Sequence, residues 1–316
     1  MITVVIPTYN SQKTLNKCLA SIFKQSFPIN KLEVIVVDNY SQDQTLEIAK
    51  KYPVKILMNT IKDNLVSKMM ALRKAKGDYF IYFDSDIDLV GENWFQKALK
   101  PLQDDPKIVA SFPRFVATFA DNPLVRYLSY DLLQRDPIYE FFSPSIESTV
   151  ISTNSRYSIC EYKTERIPPA GLCLYRKQAL LAVWDITKED RFLELDNLTR
   201  LVNAGFKYFA YVPQIGIHHP FINSILDLLK KRLRNIKRNY LNQSTPRLYR
   251  WFDLKTPLGI TKVILWVLYA TSIVLPLVRG IYKSIKNKDW ACLYEPIIVF
   301  AETWIIILGF FWYSII

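Results

Sequence analysis

The stretch Asp78-Tyr79-Phe80-Ile81-Tyr82-Phe83-Asp84-Ser85-Asp86-Ile87-Asp88 constrains the fold more than any other. Residues 79–83 are a short, continuous run of aromatic and β-branched side chains, the pattern of a buried central strand. Aspartates at alternate positions follow directly: Asp84, Asp86 and Asp88. In an open α/β sheet, ligands bind outside the carboxyl ends of the strands. Carboxylates crowded there repel one another unless a hard divalent cation lies among them, and Mg²⁺ or Mn²⁺ takes oxygen ligands of this kind. Such a cation can bridge a diphosphate and neutralise the charge that grows on it as it leaves. The plain alternative is a solvated acidic turn; the strand before it and the pattern upstream weigh against that.

Upstream, strand-like and helix-like segments alternate with short links. A strand over 2–6 leads into the loop Pro7-Thr8-Tyr9-Asn10, and Asn10 or Ser11 is placed to cap a helix through Leu15, Leu19, Ile22 and Phe23. A buried strand over 32–37 ends at Asp38-Asn39, and 41–52 reads as the next helix. A short strand over 54–57 follows, then a helix over 65–75 closed by Gly77 in a left-handed stop. This alternation predicts an α/β fold with a mostly parallel, doubly wound sheet. The loops carrying Thr8 and Tyr9, Asp38, and Asp84 and Asp86 then share one rim.

Three blocks carry a resemblance. Val-Val-Ile-Pro-Thr-Tyr-Asn, Val-Ile-Val-Val-Asp-Asn-Tyr-Ser-Gln-Asp-Gln-Thr and Ala-Lys-Gly-Asp-Tyr-Phe-Ile-Tyr-Phe-Asp-Ser-Asp together resemble the family 2 glycosyltransferases of the GT-A, Rossmann-like fold. The likeness extends in graded fashion over 1–220. It implies a nucleotide-diphosphate sugar donor, an inverting displacement and Mg²⁺ or Mn²⁺. Pro7, Thr8 and Tyr9 would line the base and ribose pocket and Asp38 would accept from the base. Asp84, Ser85 and Asp86 would hold ribose and metal-diphosphate. Relatives that make polyprenyl-phosphate sugars carry a further metal-reaching side chain where Asp88 stands. Two departures stand out: Asn39 replaces a frequent second aspartate, and Ser67-Lys68-Met69 replaces Ala-Arg-Asn. Lys68 can meet a donor phosphate as a point charge, without the fork of an arginine, or be a solvated helix lysine.

Downstream, 94–102 has the spacing of an amphipathic helix and 108–112 that of a strand. The aromatic-rich region 114–166, with Tyr127, Tyr130, Tyr139, Phe141 and Phe142, is expected either to shape an acceptor pocket or to be core. Around Gly171 the chain resembles the family's small-residue strand under the transferring sugar. Glu194 and Asp196 are both placed as the base that removes the acceptor proton, at a helix start where a carboxylate is stabilised; Arg200 either pairs with Asp196 or faces the acceptor. The only histidines, His218 and His219, close the core segment; in relatives a histidine here approaches the metal or diphosphate, and the alternative is a structural role.

The last third changes character. From 221 to 240 apolar residues recur at helical spacing opposite Lys230, Lys231, Arg232, Arg234, Lys237 and Arg238, and Arg247, Arg250, Trp251 and Lys255 continue the basic pattern. Such a segment suits an anionic membrane interface. The stretches 260–281 and 290–316 are apolar enough for two transmembrane or re-entrant helices. A hairpin would set Arg279 near Glu295, and Glu302 near Thr271 and Ser272. The domain reading is therefore a GT-A domain over 1–220, a basic juxtamembrane segment over 221–256 and a helical hairpin over 257–316.

Composition fits that division: 50% hydrophobic residues with a net charge of +12 suits lipid contact and a basic face. No base-reading motif accompanies the charge, which sets nucleic acid aside. Met1 runs directly into a strand without a signal peptide, and the four cysteines form no Cys-x-x-Cys pattern, so a reducing, cytosolic catalytic domain at the cell membrane is expected. The expected partner set is a nucleotide-diphosphate sugar, a lipid-linked acceptor and anionic membrane lipids. The rivals are a nucleotidyltransferase, disfavoured by the lack of an early glycine-rich loop, and a catalytically degenerate scaffold that only binds.

Overall fold

The structure, a computed structural model, describes residues 1–237, 247–250 and 253–315, with side chains to residue 310. Arg238, Tyr240, Trp251 and Ile316 lie outside the described residues. The chain forms two compact units, one of Met1–Phe115 with Ile146–His219 and one of Val116–Ser145 with Pro220–Ile316. The stretch 116–145, read from the sequence as part of the first domain, thus folds with the C-terminal helices.

The first unit opens with β1 (Ile2–Thr8), α1 (Leu15–Phe23), β2 (Leu32–Asp38), α2 (Thr45–Ala49), β3 (Lys55–Met58), α3 (Asn64–Lys74) and β4 (Tyr79–Tyr82). β5 (Asp88–Val90), α4 (Trp94–Asp104) and β6 (Ile108–Val116) follow. After α5 (Pro123–Ser129) and α6 (Pro137–Phe142) of the second unit come β7 (Val150–Thr153), β8 (Ser158–Glu161), β9 (Leu174–Arg176), α7 (Lys177–Val183), α8 (Glu194–Asn203) and β10 (Tyr208–His218). One ten-stranded sheet runs β3-β2-β1-β4-β9-β6-β10-β8-β7, with β5 on β10. The first four strands are parallel; β9 joins β4 and β6 antiparallel, and β8 joins β10 and β7 the same way. The expectation of a mostly parallel sheet therefore holds for the N-terminal half, and the sheet as a whole is mixed.

The parallel strands are apolar throughout because both faces are covered. Ile2, Val4, Ile6, Val34, Val36 and Ile81 pack on Leu15, Leu19, Ile22, Trp94 and Phe95. On the other face Phe80 and Tyr82 meet Phe192. Each such fully buried side chain contributes about 1.5–3 kcal/mol relative to exposure. Helix α2 is shorter than 41–52 because Ser41, Gln42 and Gln44 bond to Asp38, Asn10 and Gln12 instead of entering a helix. Neither Asn10 nor Ser11 caps α1: the capping position is Thr14, and the Ser11 hydroxyl meets that of Ser85 at 2.8 Å.

Gly77 corrects the sequence reading. Its φ is not positive; α3 ends at Ala75 in extended conformation. The glycine is required by a close approach, since a Cβ there would lie 2.6 Å from the Thr3 amide nitrogen and 2.9 Å from the Ile2 carbonyl carbon. Central-strand backbone yields poorly, so Gly77→Ala is expected to destabilise the first unit by about 1–3 kcal/mol, read as a lower urea midpoint at unchanged m-value.

All four cysteines are free and buried, with no Cys160–Cys173 bond. Burial pushes the Cys160 thiol up to about 11 and that of Cys173 to about 12. A thiolate is the reactive form. Ellman's reagent at pH 8 should therefore find no fast thiol in the native protein and all four after unfolding in denaturant.

In the second unit α5 packs through Leu124, Val125 and Leu128 on Ile222, Leu228 and Ile298. Its C-terminal helices are α9 (Ile225–Ile236), α10 (Pro257–Thr271), α11 (Val274–Asn287) and α12 (Glu295–Ile315). The expected single helix over 260–281 is broken at Ser272–Ile273, where Ile273 has φ +57°, and α10 and α11 meet at a 78° bend. Arg279 does reach Glu295, at 2.5 Å. Glu302 does not rely on Thr271 or Ser272, whose hydroxyls bond within α10; it receives Arg232 of α9 at 2.9 Å. That arginine, read from the sequence as a surface cation, is a partly buried counter-ion shared by Asp136 and Glu302, and the internal Glu302 carboxylate demands such a partner. Tyr127 and Tyr130 bond to Glu295 and Asp289, and Phe141 and Phe142 lie against Trp266, so the dense aromatics serve this unit's own packing.

Candidate active site

The rim formed by the ends of β1, β2 and β4 is held by side chains that tie one loop to the next. Thr8 Oγ1 donates to Asp38 Oδ1 at 2.9 Å, and Ser41 donates its hydroxyl at 2.6 Å and its amide at 2.8 Å to the same carboxylate. Asp38 is fully buried, so it braces the loop that any base would meet, while Tyr9 above it is 53% exposed. Asn39 explains its departure from aspartate. Its amide donates to Thr8 O and its oxygen accepts from Asn59 and Ser67, a closed neutral network that a second buried charge would disrupt. Pro7 is buried within β1.

Asp84, Ser85 and Asp86 follow β4 onto the same rim, with Ser85 bound to Ser11. Behind them Lys68 projects from α3. It is 2% exposed, ion-paired to Glu194, 3.8 Å from Asp84 and 4.1 Å from the centre of the Tyr82 ring. It is no solvated helix lysine. A buried ammonium needs an acid partner, and here it links two of the expected site residues that lie far apart in sequence. The Tyr82 hydroxyl donates to Gly171 O, and a Cβ on Gly171 would sit 3.6 Å from Glu194 Oε2. Burial, and after it the Glu194 carboxylate, pushes the Tyr82 phenol well above its ordinary range, so it remains a neutral donor.

The two acids of α8 separate clearly. Glu194 is the first residue of the helix, with a third of its side chain exposed, beside Lys68 and Gly171. Asp196 is 2% exposed. Residues two apart on a helix point in different directions, and of these two acids Glu194 is the one with exposed surface. Arg200 pairs with Glu189 at 2.6 Å and stacks over Trp184 at 4.0 Å, which commits its guanidinium to the 183–189 loop rather than to an acceptor.

Of the five residues expected around a metal, Asp84 lies beside Lys68 and the other four stand as two pairs. Asp88 belongs to β5, opposite His218 of β10; its carboxylate meets His218 Nδ1 at 3.1 Å and ion-pairs with Lys17. Burial would raise its pKa, but the bonds from His218 and Lys17 outweigh burial and hold it below the usual carboxylate range. Asp88 is thus tied to His218 and to Lys17, a residue that no local pattern singled out. Asp86 Oδ1 lies 3.4 Å from His219 Nε2. Among the described residues no three acid, histidine or cysteine side chains are gathered as a metal site. The Asp86–His219 pair offers one oxygen and one nitrogen donor, a set that fits a cation completing its shell with phosphate oxygens and water.

The sequence profile of glycosyl transferase family 2 matches residues 3–184. Glycosyltransferase GlyG of Streptococcus pneumoniae serotype 4 is 34% identical over 258 residues, which cover 78% of this chain and 76% of GlyG. Poly(ribitol-phosphate) beta-N-acetylglucosaminyltransferase TarS of Staphylococcus aureus is 39% identical over 90 residues, or 27% of this chain; the match spans only 16% of TarS. Among solved structures, the mannosyltransferase PcManGT from Pyrobaculum calidifontis in complex with GDP-Man and Mn²⁺ aligns with 96% of this chain and 85% of its own, at a TM-score of 0.52 and 16% identity. At that identity the likeness concerns the fold.

Proposed function

The chain belongs to glycosyl transferase family 2, and from that premise we propose that it catalyses inverting transfer of a sugar from a nucleotide-diphosphate sugar to a hydroxyl of a lipid-linked glycan. The observation that carries this reading is the buried Lys68, which joins Glu194 to Asp84 on one rim. An acceptor hydroxyl over Gly171 gives its proton to Glu194 while its oxygen attacks the anomeric carbon. The bond from that carbon to phosphate breaks on the opposite face, and its electron pair leaves with the nucleoside diphosphate. Asp84 and Ser85 orient the donor, and the Thr8–Asp38–Ser41 cluster fixes the loops that receive its base and ribose. When bound, a divalent cation held by Asp86 with His219 supplies charge neutralisation for the departing diphosphate.

The base favours a sugar hydroxyl over a polyprenyl monophosphate, because an anionic phosphate needs no deprotonation. A screen of UDP- and GDP-sugars with Mn²⁺ by thermal shift identifies the donor, since a ligand of the native state raises apparent stability. Nucleoside-diphosphate release is then measured with a polyprenyl-diphosphate sugar and with bare polyprenyl monophosphate. Transfer to the former is expected. Transfer to the monophosphate alone overturns the acceptor assignment; a thermal shift without release leaves the binding-only scaffold, and neither shift nor release with any donor overturns the nucleotide-sugar reading itself.

The second unit supports membrane seating. Leu258, Leu265, Leu268, Val274 and Ile285 are all exposed, and Trp290–Phe310 is long and apolar enough to cross a bilayer. Helix α9 lies along α12, with Leu233 against Gly309 and Arg232 on Glu302. A charged helix beside α12 favours a bundle seated in the interfacial plane, at the cytosolic face, over a plain spanning hairpin.

A further inference from the structure

A cavity of about 280 Å³ opens in the second unit between α5, α6 and α11. Its wall carries four cations, Arg135, Arg279, Lys283 and Lys286, against the two acids Asp131 and Glu140. Most of this charge is internally matched. Arg135 is bound by Asp131 at 2.7 Å, and Arg279 and Lys283 share Glu140 and the fully buried Glu295. Counting Glu295 behind the wall, four cations face three acids, so the cavity holds one positive charge in excess. Lys286, exposed at the lip, sits one helical turn from Lys283.

Helix α11 gives this cavity a second property. Arg279, Lys283 and Lys286 follow one another at i, i+4 and i+7 along one side, while Val274, Val278, Ile281 and Ile285 repeat at the same spacing along the neighbouring side. Those four apolar residues are 44–74% exposed. Pro276 and Gly280 are buried, and a Cβ on Gly280 would lie 2.8 Å from Cys292 O, which fixes the helix against its own unit and leaves the apolar side outward. A soluble phosphate would gain nothing from an apolar stripe beside its site. A phospholipid uses both: its phosphodiester carries one negative charge, matching the excess, and its acyl chains lie along the stripe.

From this geometry we infer that the cavity is a headgroup site for one anionic phospholipid, with Lys286 at its lip as the discriminating cation. The inference rests on the membrane-seated reading of the second unit and adds to it a single built position. Native mass spectrometry of the full chain, released from detergent with phosphatidylglycerol or phosphatidylcholine, reads occupancy; flotation with vesicles of each lipid reads membrane binding. One phosphatidylglycerol should stay with the wild-type protein and phosphatidylcholine should not. Lys286→Glu and Lys286→Gln should both lose the retained lipid, while Lys288→Glu, an equal charge change at an exposed position outside the cavity, should keep it. Equal loss in the Lys286 and Lys288 variants means a diffuse field and overturns the site. Equal retention of phosphatidylcholine overturns its charge selectivity. Displacement of the lipid by millimolar inorganic phosphate overturns the lipid as occupant. Vesicle binding without lipid preference removes this inference and leaves membrane seating intact; no binding to either vesicle removes both.

Discussion

Replacing Glu194 with glutamine should lower the single-turnover transfer rate by about 10²–10⁴-fold, the range a positioned general base supplies, while donor affinity changes little. Glu194 is the one α8 acid with exposed surface, and its neighbours are Lys68, Gly171 and, through Lys68, Asp84. Glutamine keeps the shape and removes the proton acceptor, so binding of the donor serves as an internal control on folding. Asp196→Asn should behave differently, lowering the thermal midpoint before it touches the rate, because Asp196 is buried. Equal rates in wild type and Glu194→Gln with a hydroxyl acceptor would remove Glu194 from the chemistry.

Asp86→Ala should cost about 10²–10³ in rate, the scale on which removal of one charge-stabilising group is felt, and should raise the Mn²⁺ concentration needed for half-maximal activity. Asp88→Asn should leave that concentration near the wild-type value and instead loosen the end of the sheet, because Asp88 holds Lys17 and His218. A metal titration of the two variants side by side checks the division. If Asp88→Asn shifts the Mn²⁺ requirement as far as Asp86→Ala, the metal set includes Asp88 and the pairing with His218 yields to it on loading.

The parallel half of the sheet is legible because each strand is a continuous apolar run with a polar loop after it, and that pattern is local. The antiparallel half is legible at β6, read as a strand over 108–112, and little further. β7, β8 and β9 have three or four residues each, and Ile151 of β7 is exposed, so neither length nor alternation marks them. The D-x-D acids and Glu194 are readable as candidate site residues, whereas favouring Glu194 over Asp196 needs the phase and burial of α8. Assigning Asp88 needs its partner on β10, 130 positions away. Ser41 had a readable signal: a serine shortly after an aspartate at a strand end is a common turn partner. The α10–α11 bend had none, since the residue in the left-handed region is an isoleucine, which local propensity excludes.

The placement of 116–145 bears on how the protein is made. Leu124, Val125 and Leu128 leave the ribosome early, yet the residues that cover them, Ile222, Leu228 and Ile298, are synthesised far later. During translation α5 therefore waits as an uncovered apolar segment until the C-terminal helices of its own unit are made. A fragment ending near residue 220 would keep that segment uncovered permanently, so a soluble catalytic piece is better sought by polar redesign of Leu124, Val125 and Leu128 than by truncation alone.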